Sequence, residues 1–547
     1  MAATAWKRRS QMQESDTYDL VVVGGGINGT SIARDAAGRG LSVALVEKGD
    51  LAAATSSASS KLIHGGLRYL ERYHFRLVRE CLAEREVMLR AAPHLVWPMR
   101  FVLPLRDHLR SSALIRAGLF LYDHLGGPSR LPHSRRVHLD QDPVGEPLRP
   151  GLARGAIYSD CWGDDARLVV SYAIDAAARG ARILTRSMCL GARRRPDATG
   201  RDGWDVEVLD GATAHTVSLR CRALVNTGGP WAREIHGMAV NGGGESPAIR
   251  LVKGSHIVVP RLYEGDHAYV LQNDDQRVVF VLPFEGAFSL IGTTDVPFVG
   301  RPAAVAVDPE EIDYLCVAVN RYFRSAISRE SVVWAFAGVR PLVDDGATDV
   351  SAITRDYVLV TDGGGERAPL VSVLGGKITT SRRLAEVVLD RLANDLPKAG
   401  PAWTATATLP GGDFGLDGLD GCLREGRLRW PWLPAMTLRR YVRAYGTRAE
   451  TLIGAATSLT EMGEDLGGRL YEAEVAYLTG HEFARTADDI LWRRSKLGLH
   501  LGSSAHETLT AALSSRGPGR APWENDVHPV HLPIHQRSAM SPLGMAP

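Results

Sequence analysis

The segment ATSSASSKLIHGGLRYL (54–70) concentrates side chains that could do chemistry. Its first half is rich in hydroxyls, and its second half carries a lysine, a histidine, two glycines, an arginine and a tyrosine. Hydroxyls and backbone N–H groups suit a pyrophosphate and a polar ring edge, and paired glycines let the backbone approach a flat ring. A solvated loop is the alternative interpretation of this composition. The residues that precede the segment argue against that alternative.

A dinucleotide-binding motif lies just upstream. YDLVVV (18–23) is typical of a buried parallel strand, and an Ala-rich helix is predicted from Thr30 to about Gly38. Between them stands the spacing G-x-G-x-x-G, formed by Gly24, Gly26 and Gly29. A second strand, LSVALVE, ends at an acid that would accept hydrogen bonds from the adenosine ribose, Glu47. This order predicts a site for NAD or FAD. Segment 54–70 must run beside that cofactor, and its polar groups at the reactive end indicate an anionic substrate.

Longer stretches carry a family resemblance. GGGINGTSIARDAAGRG and ATSSASSKLIHGGLRYLE, followed by YSDCWGDDARL, RLVKGSHIVVP, FSLIGTTD, FAGVRPL, ITRDY and LGGKITT, resemble the FAD-dependent, aerobic glycerol-3-phosphate dehydrogenases over about residues 17–505. The chain departs from that family's usual residues at Ser31, Gly228 and Ser381. The resemblance implies oxidation of glycerol 3-phosphate to dihydroxyacetone phosphate by hydride transfer to FAD. It further implies a membrane quinone as acceptor, a cytoplasmic enzyme lying on the inner leaflet, and a homodimer as one possible assembly.

Site residues follow from the matched segments. A phosphate dianion requires cations, and Arg pairs with it bidentately; the substrate-binding candidates are Arg68, Tyr69, Arg340, Arg355 and Lys377. The catalytic candidates are His64, Arg340 and Lys377, with His64 preferred as the base over His256 and Asp295. The cofactor-binding candidates are Gly24, Gly26, Gly29, Glu47, Thr55, Ser56, Ser59, Ser60, His64, Gly65, Gly66, Gly229, Gly376, Lys377 and Thr379.

Composition restricts the remaining possibilities. The chain has 547 residues and a net charge of +2, so no overall field favours nucleic acid. Six scattered cysteines without a CxxC pair indicate free thiols and no metal site. The first residues lack the apolar region of a signal peptide, and no apolar run approaches the ~18 residues of a spanning helix. The basic, apolar stretch 99–136 predicts either an amphipathic surface for anionic lipid or a packed cap helix.

The predicted fold class is α/β. The resemblance implies a Rossmann-like FAD-binding domain of the glutathione-reductase or amino-acid-oxidase type, with an antiparallel-sheet substrate cap and a C-terminal α-helical domain. The FAD-binding domain is assigned to 17–81, 151–246 and 336–400, and the cap to 82–150 and 247–335. The helical domain is assigned to 401–505, and flexible extensions to 1–16 and 506–547.

Three other functions stay open at this point. An oxidase that passes electrons to oxygen would share the flavin fold, and so would a flavin-binding protein without catalysis. An NAD-linked enzyme would share the glycine motif.

Overall fold

The computed structural model describes residues 17–106, 111–196, 200, 202–240, 248–344, 356–415 and 417–514. In chain order, the strands of these ranges are β1 (Thr17–Val23), β2 (Val43–Val46), β3 (Leu62–Ile63), β4 (Val96–Pro104), β5 (Arg135–His138), β6 (Arg154–Gly163), β7 (Arg182–Leu184), β8 (Ser187–Pro196), β9 (Asp202–Asp210), β10 (Thr216–Asn226), β11 (Ile249–Pro260), β12 (Ala268–Gln272), β13 (Val278–Phe284), β14 (Phe288–Gly292), β15 (Val296–Pro297), β16 (Trp334–Val343), β17 (Val358–Gly364) and β18 (Arg367–Leu374).

The α-helices of the same ranges are α1 (Ile27–Gly38), α2 (Phe75–Ala91), α3 (Ser112–Leu125), α4 (Asp165–Ala178), α5 (Ala232–Val240), α6 (Pro309–Asn320), α7 (Ser381–Arg391), α8 (Gly418–Arg429), α9 (Ala435–Tyr445), α10 (Ala449–Ile453), α11 (Glu472–His481) and α12 (Ser503–Ser514). Short 3₁₀ turns at Thr55–Ser57, Leu67–Arg72 and Ile378–Thr380 shape the site described below.

The first sheet holds the nucleotide motif. Its main path runs β17-β18-β10-β1-β2-β7, with β18, β10, β1, β2 and β7 parallel, and the hairpin β8–β9 extends it from β10. Leu20, Val21 and Val22 have no exposed surface because helices cover one face and β8–β9 the other. A strand that is buried on both faces has a continuous apolar sequence, which is why the residues YDLVVV predicted β1 correctly.

The second sheet is largely antiparallel and covers the carboxyl edge of the first. Its path is β15-β11-β14-β13-β12-β4-β6-β3, with β16 paired to β11 and β5 to β6. The longest pairing, β11 with β16, runs from Ile249 opposite Val343 to Val258 opposite Trp334. Both faces are apolar and bury two separate clusters, one of them under α6. The fold class predicted from the sequence, with its two sheets and helical C-terminal part, is confirmed.

Ion pairs attach the C-terminal helices to the nucleotide-binding part. Asp50 follows the second strand of that part and binds Arg493 at 2.6 Å and Arg494 at 2.8 Å. Arg186 binds Asp489 at 2.8 Å. All five side chains are buried, so each charge is stabilised by its ion-pair partner and not by water.

Several local predictions need correction. The apolar spacing from Leu67 to Arg90 is typical of one continuous helix. In the structure, the 3₁₀ turn Leu67–Arg72 ends at Tyr73, whose φ is 59°, before α2 begins. The described part of 99–136 is not one amphipathic segment, because it contains β4, α3 and the start of β5. The pattern of DARLVVSYAIDAAARG (165–180) is typical of an amphipathic helix, yet in α4 the residues Asp165–Ala176 are buried on all sides between two layers.

Sheet membership also differs from the predicted domain segments. Strand β6, assigned to the FAD-binding segments, lies in the second sheet, and so does β16, which crosses the boundary at 336. A parallel strand and a long antiparallel one have similar apolar patterns, so the pattern does not assign the sheet. Part of the predicted C-terminal extension, 506–514, is helical within α12. Residues 1–16 and 515–547 lie outside the described ranges.

Candidate functional site

A cavity of about 1150 Å³ runs between the two sheets. It begins at the carboxyl ends of β1 and β2, follows the Ser-rich segment, and ends between α3 and the β12–β13 turn. Ligands of open parallel sheets bind at this edge. Almost all of the predicted site residues line this cavity: Gly24, Gly26, Glu47, Thr55, Ser56, Ser59, Ser60, His64, Gly66, Arg68, Tyr69, Gly229, Arg340, Gly376, Lys377 and Thr379.

Two predicted glycines lie behind the cavity wall, and one predicted cation cannot be placed. A Cβ at Gly29 would overlap the carbonyl oxygen of Gly24, so Gly29 lets α1 pack against the turn after β1. A Cβ at Gly65 would lie 2.5 Å from the Leu82 side chain. Both glycines shape the wall and do not line the cavity. Arg355 lies outside the described residues.

The nucleotide end is built from backbone. Gly24 has φ 115° and donates its N–H to Val46 across the strands at 2.8 Å. Helix α1 begins after Gly26 without a side-chain cap, although Ser56 Oγ accepts from Ile27 N at 3.0 Å. The positive end of the helix dipole therefore faces the cavity, where a pyrophosphate would bind.

Glu47 closes this end. Its carboxylate accepts the N–H of Gly25 at 2.6 Å and of Gly49 at 2.7 Å. Burial raises the pKa of Glu47, and these two hydrogen bonds oppose the rise. The carboxylate stands where the sequence motif predicts the ribose, so its contact with that group stays a prediction.

The Ser-rich segment is held from behind by its own hydroxyls. Thr55 donates to Val339 O at 2.7 Å, and Ser59 donates to Asp165 at 2.7 Å. Ser60 Oγ lies 2.9 Å from His256 Nε2. We expected the hydroxyls to contact the cofactor, and that contact stays a prediction; the structure shows that these three hydroxyls also bind the protein.

Buried charges that the sequence did not single out support this segment. Lys61 is 1% exposed, has φ 57°, and binds both oxygens of Asp165 at 2.8 and 2.9 Å and Ser57 O at 3.0 Å. Burial lowers the pKa of Lys61. No sequence signal identifies such a pair, because Lys61 and Asp165 are about a hundred residues apart and only the fold joins them.

His64 lies on the cavity wall beside the substrate candidates. Its backbone N–H donates to Thr379 Oγ1 at 3.3 Å, which ties it to the turn that carries Lys377. Burial, and then the charges of Lys377 and Arg85, lower the pKa of His64 to about 3. The imidazole is therefore neutral at physiological pH and has a lone pair to offer.

Lys377 and Tyr69 form one polar wall. Lys377 Nζ lies 3.7 Å from the centroid of the Tyr69 ring and 4.0 Å from Cys81 Sγ. Burial raises the pKa of Cys81 to about 11, so this thiol is neutral and does not balance the charge of Lys377. Arg68 lines the same part of the cavity.

Arg340 lies on a second wall, on β16. Its guanidinium forms an ion pair with Asp295 and donates to Thr293 Oγ1 at 3.2 Å. A Cβ at Gly254 would overlap the guanidinium and lie 2.7 Å from Thr293 Oγ1, so a glycine on the neighbouring strand makes room for it. Asp295 was considered as a base; the structure places it in an ion pair.

His256, the other alternative base, does not line the cavity. Its ring stacks on Phe336 at 4.9 Å, and burial, with the charges of Arg340 and Lys61, lowers its pKa well below the usual value. Its visible role is to hold Ser60.

Two of the three departures from the resembled family contact each other. Ser31 Oγ on α1 donates to Ser381 O on α7 at 3.1 Å, so this pair ties two helices that cover the first sheet. At Gly228 a Cβ would overlap the Ile235 side chain, so the glycine is required by the packing of α5.

Comparison with known proteins agrees with this architecture. A family model described as FAD dependent oxidoreductase matches residues 19–382, and another described as the C-terminal domain of alpha-glycerophosphate oxidase matches 402–516. The aerobic glycerol-3-phosphate dehydrogenase of Escherichia coli is 50% identical over 501 residues, 91% of this chain and 97% of the relative. The chain belongs to the FAD-dependent glycerol-3-phosphate dehydrogenase family.

Two further relatives add detail. The D-erythritol 1-phosphate dehydrogenase of Brucella abortus is 51% identical over 491 residues, 90% of this chain and 96% of the relative. The glycerol-3-phosphate dehydrogenase of Bacillus halodurans, solved in complex with FAD, superposes with a TM-score of 0.71 at 24% identity. It covers 98% of this chain and 100% of its own, which shows that the fold is shared.

The cofactor is FAD, and this chain's residues fit it. The turn at Gly24 is too tight for a Cβ, which would lie 2.5 Å from Thr227 O, so backbone alone faces the pyrophosphate position. Asn28 lines the cavity, donates to Gly375 O at 3.2 Å, and has a buried Oδ1 without a hydrogen-bond partner in the described residues. The start of α1 presents backbone N–H groups to the pyrophosphate position, and Asn28 Oδ1 would accept a hydrogen bond from a hydroxyl of the cofactor.

Proposed function

We propose that the protein oxidises sn-glycerol 3-phosphate to dihydroxyacetone phosphate with FAD and passes the electrons to a membrane quinone. The observation that carries the proposal is the single cavity that joins the dinucleotide motif to a wall with Lys377, Arg68 and Tyr69. The cofactor accepts the hydride when bound, and the chain supplies binding, orientation and the movement of a proton.

The phosphate is assigned to Lys377, Arg68 and Tyr69. Within the described ranges no carboxylate forms an ion pair with Lys377, so its charge is available to a dianion. Stacking on Tyr69 restricts where the ammonium can lie. Charge-assisted hydrogen bonds to phosphate are about twice as strong as neutral ones.

His64 is assigned as the group that accepts the hydroxyl proton. It lines the cavity next to Lys377 and is neutral, whereas His256 is walled off behind Ser60. Because Lys377 contributes to the low pKa of His64, a phosphate bound at Lys377 offsets that charge and makes the imidazole a stronger base. Substrate binding and base strength are thereby linked.

Anaerobic titration of the FAD-loaded protein tests this function. Glycerol 3-phosphate is expected to bleach the visible flavin absorbance, and a soluble quinone is expected to restore it. Reoxidation by oxygen at a comparable rate would make the protein an oxidase instead. A flavin spectrum that glycerol 3-phosphate leaves unchanged contradicts the substrate assignment.

D-Erythritol 1-phosphate is the second candidate substrate, because a D-erythritol 1-phosphate dehydrogenase is as similar to this chain as the glycerol-3-phosphate dehydrogenase. Both substrates join a phosphate to a chain of hydroxyls, so the wall at Lys377 serves either one. For each substrate, the rate constant of flavin reduction is divided by the half-saturating concentration. The substrate with the higher quotient is the preferred one.

The quinone and the lipid surface are assigned to the cavity mouth. Its rim carries five apolar or aromatic side chains that are between 40% and 80% exposed: Tyr73, Phe75, Leu114, Leu121 and Met238. No helix in the described ranges is long and apolar enough to span a membrane. An apolar rim around a redox cavity suits a lipid-soluble acceptor, and we place the protein on the cytoplasmic face of the membrane.

Vesicle co-sedimentation tests this placement. Leu114→Gln and Leu121→Gln on α3 are expected to reduce binding to anionic vesicles and slow reoxidation by a long-chain quinone. Leu428→Gln is the control, since Leu428 is 85% exposed but lies on α8, which does not line the cavity. If all three variants bind vesicles equally well, the rim of the cavity is not the membrane-binding surface. Sedimentation velocity tests the predicted homodimer.

A further inference from the structure

The cavity contains two cationic walls of different net charge. Lys377 forms no ion pair within the described ranges, whereas the charge of Arg340 is balanced by Asp295. Lys377 follows β18 of the first sheet, and Arg340 lies on β16 of the second. A substrate with an anionic end and a hydroxylated end can bind in two directions, with its anionic end at either wall.

The segment that carries Asp295 is rigidly anchored. Thr294, which is 1% exposed, accepts the N–H of Ser255 at 2.9 Å and donates to Glu311 at 2.6 Å. Along an extended chain, neighbouring side chains point to opposite sides. Thr294 therefore holds the segment from behind, while Thr293 and Asp295 line the cavity and bind Arg340.

Space is also reserved for this arrangement. Gly254 on β11 pairs with Gly338 on β16, and a Cβ at Gly254 would overlap the Arg340 guanidinium. The guanidinium thus occupies the space that a side chain at position 254 would fill, within hydrogen-bond distance of the Thr293 hydroxyl. Its direction is determined by Asp295 and Thr293.

We propose that Asp295 is a positioning residue that determines the direction of substrate binding by neutralising and orienting Arg340. The phosphate then binds at Lys377, and Arg340 presents its N–H groups to the hydroxyl that is oxidised. Without the Asp295 charge, Arg340 competes with Lys377 for the phosphate. A fraction of the substrate then binds in the reverse direction, where it is not oxidised. This inference rests on the proposed function.

Asp295→Asn tests the charge because it changes the shape of the side chain little. Reversed, unproductive binding lowers the saturating rate constant of flavin reduction and the half-saturating substrate concentration by the same factor, and leaves their ratio unchanged. We expect both to fall roughly fivefold, and the affinity for inorganic phosphate, measured by perturbation of the flavin spectrum, to rise by a similar factor.

Two further variants separate charge from structure. Thr293→Val removes the hydrogen bond to Arg340 without a change of charge, so it should slow reduction but leave the phosphate affinity unchanged. Asp344→Asn is the matched control, since Asp344 directly follows β16 and pairs with Arg250 on β11 at 2.9 Å but does not line the cavity. It should change neither quantity.

A weaker or unchanged phosphate affinity in Asp295→Asn overturns the inference, and so does a rise in the half-saturating concentration. The phosphate measurement needs no turnover. If glycerol 3-phosphate fails to reduce the unaltered protein, the proposed substrate is wrong, while the phosphate affinities of the two Asp variants still decide whether Asp295 neutralises Arg340.

Discussion

Lys377→Met removes the cation that lies 3.7 Å above the Tyr69 ring on the proposed phosphate wall. A hydrogen bond to a charged group contributes about 1.5–3 kcal/mol. At 1.4 kcal/mol for each factor of ten, the half-saturating concentration of glycerol 3-phosphate should rise about 10- to 150-fold. Lys377→Arg keeps the charge and should recover part of this loss.

The same substitution changes the pKa of His64. Burial is the largest cause of its low pKa and the Lys377 charge the next, so Lys377→Met should raise that pKa while leaving it below its ordinary value of 6.5. In the ratio of the reduction rate constant to the half-saturating concentration, which reports the substrate-free protein, His64 should therefore give no acid limb above about pH 5 in the unaltered protein. In the variant, an acid limb should move toward neutral pH, because a protonated His64 cannot accept the hydroxyl proton.

Stopped-flow reduction under anaerobic conditions measures both quantities. Lys398→Met is the control, because Lys398 is exposed and does not line the cavity. An unchanged half-saturating concentration in Lys377→Met would refute the phosphate assignment. A pH profile that does not move would refute the coupling between Lys377 and His64, even if substrate affinity fell.

Three other predictions concern the scaffold. Gly29→Ala places a methyl group against Gly24 O, so the purified variant should lose most of its visible flavin absorbance. Asp50→Asn removes the carboxylate that binds the fully buried Arg494, and urea denaturation should show a loss of about 3–5 kcal/mol in the free energy of unfolding. Burial raises the pKa of Glu285 from 4.5 to about 7. Glu285 therefore contributes stability that is fully present below pH 4.5, the pKa in the unfolded chain, and is lost as pH rises through 7. Glu285→Gln should abolish this loss.

Each of the three has a matched control. Gly237→Ala adds a methyl group where no atom lies within 4 Å and should keep its flavin. Asp417→Asn breaks an ion pair whose carboxylate side chain is 70% exposed and should cost little stability. Glu264→Gln, at 94% exposure, should leave the pH dependence of stability unchanged. An effect of equal size in a control and its partner variant would contradict the corresponding argument.

Local sequence patterns predicted the nucleotide half of the site well. The strand before Gly24, the glycine spacing and the helix after it depend on contacts close in sequence, so their positions follow from residue types alone. The same holds for β18 and the Gly375–Gly376 turn that delivers Lys377. Predictions were weaker where patterns are ambiguous: the left-handed Tyr73 divides a segment whose periodicity looks continuously helical.

The predicted hydroxyl contacts show the limit more sharply. Thr55, Ser59 and Ser60 line the cavity, and their contact with the cofactor stays a prediction, but their hydroxyls also bind Val339, Asp165 and His256. All three partners come from distant parts of the chain. No pattern within the segment could reveal that a second layer of the fold would engage these groups.

By itself, the sequence determined the dinucleotide motif and the α/β class, and it predicted a set of cations for a phosphate. Only the tertiary structure decided which of those cations has its charge balanced by a carboxylate within the described residues. Arg340 and Lys377 look equivalent as residue types, but β11 and β14 bring Asp295 to Arg340, while a stacked tyrosine and a neutral thiol surround Lys377. The physical reason is that residue type sets a charge, whereas the strand pairings set the neighbours that balance it.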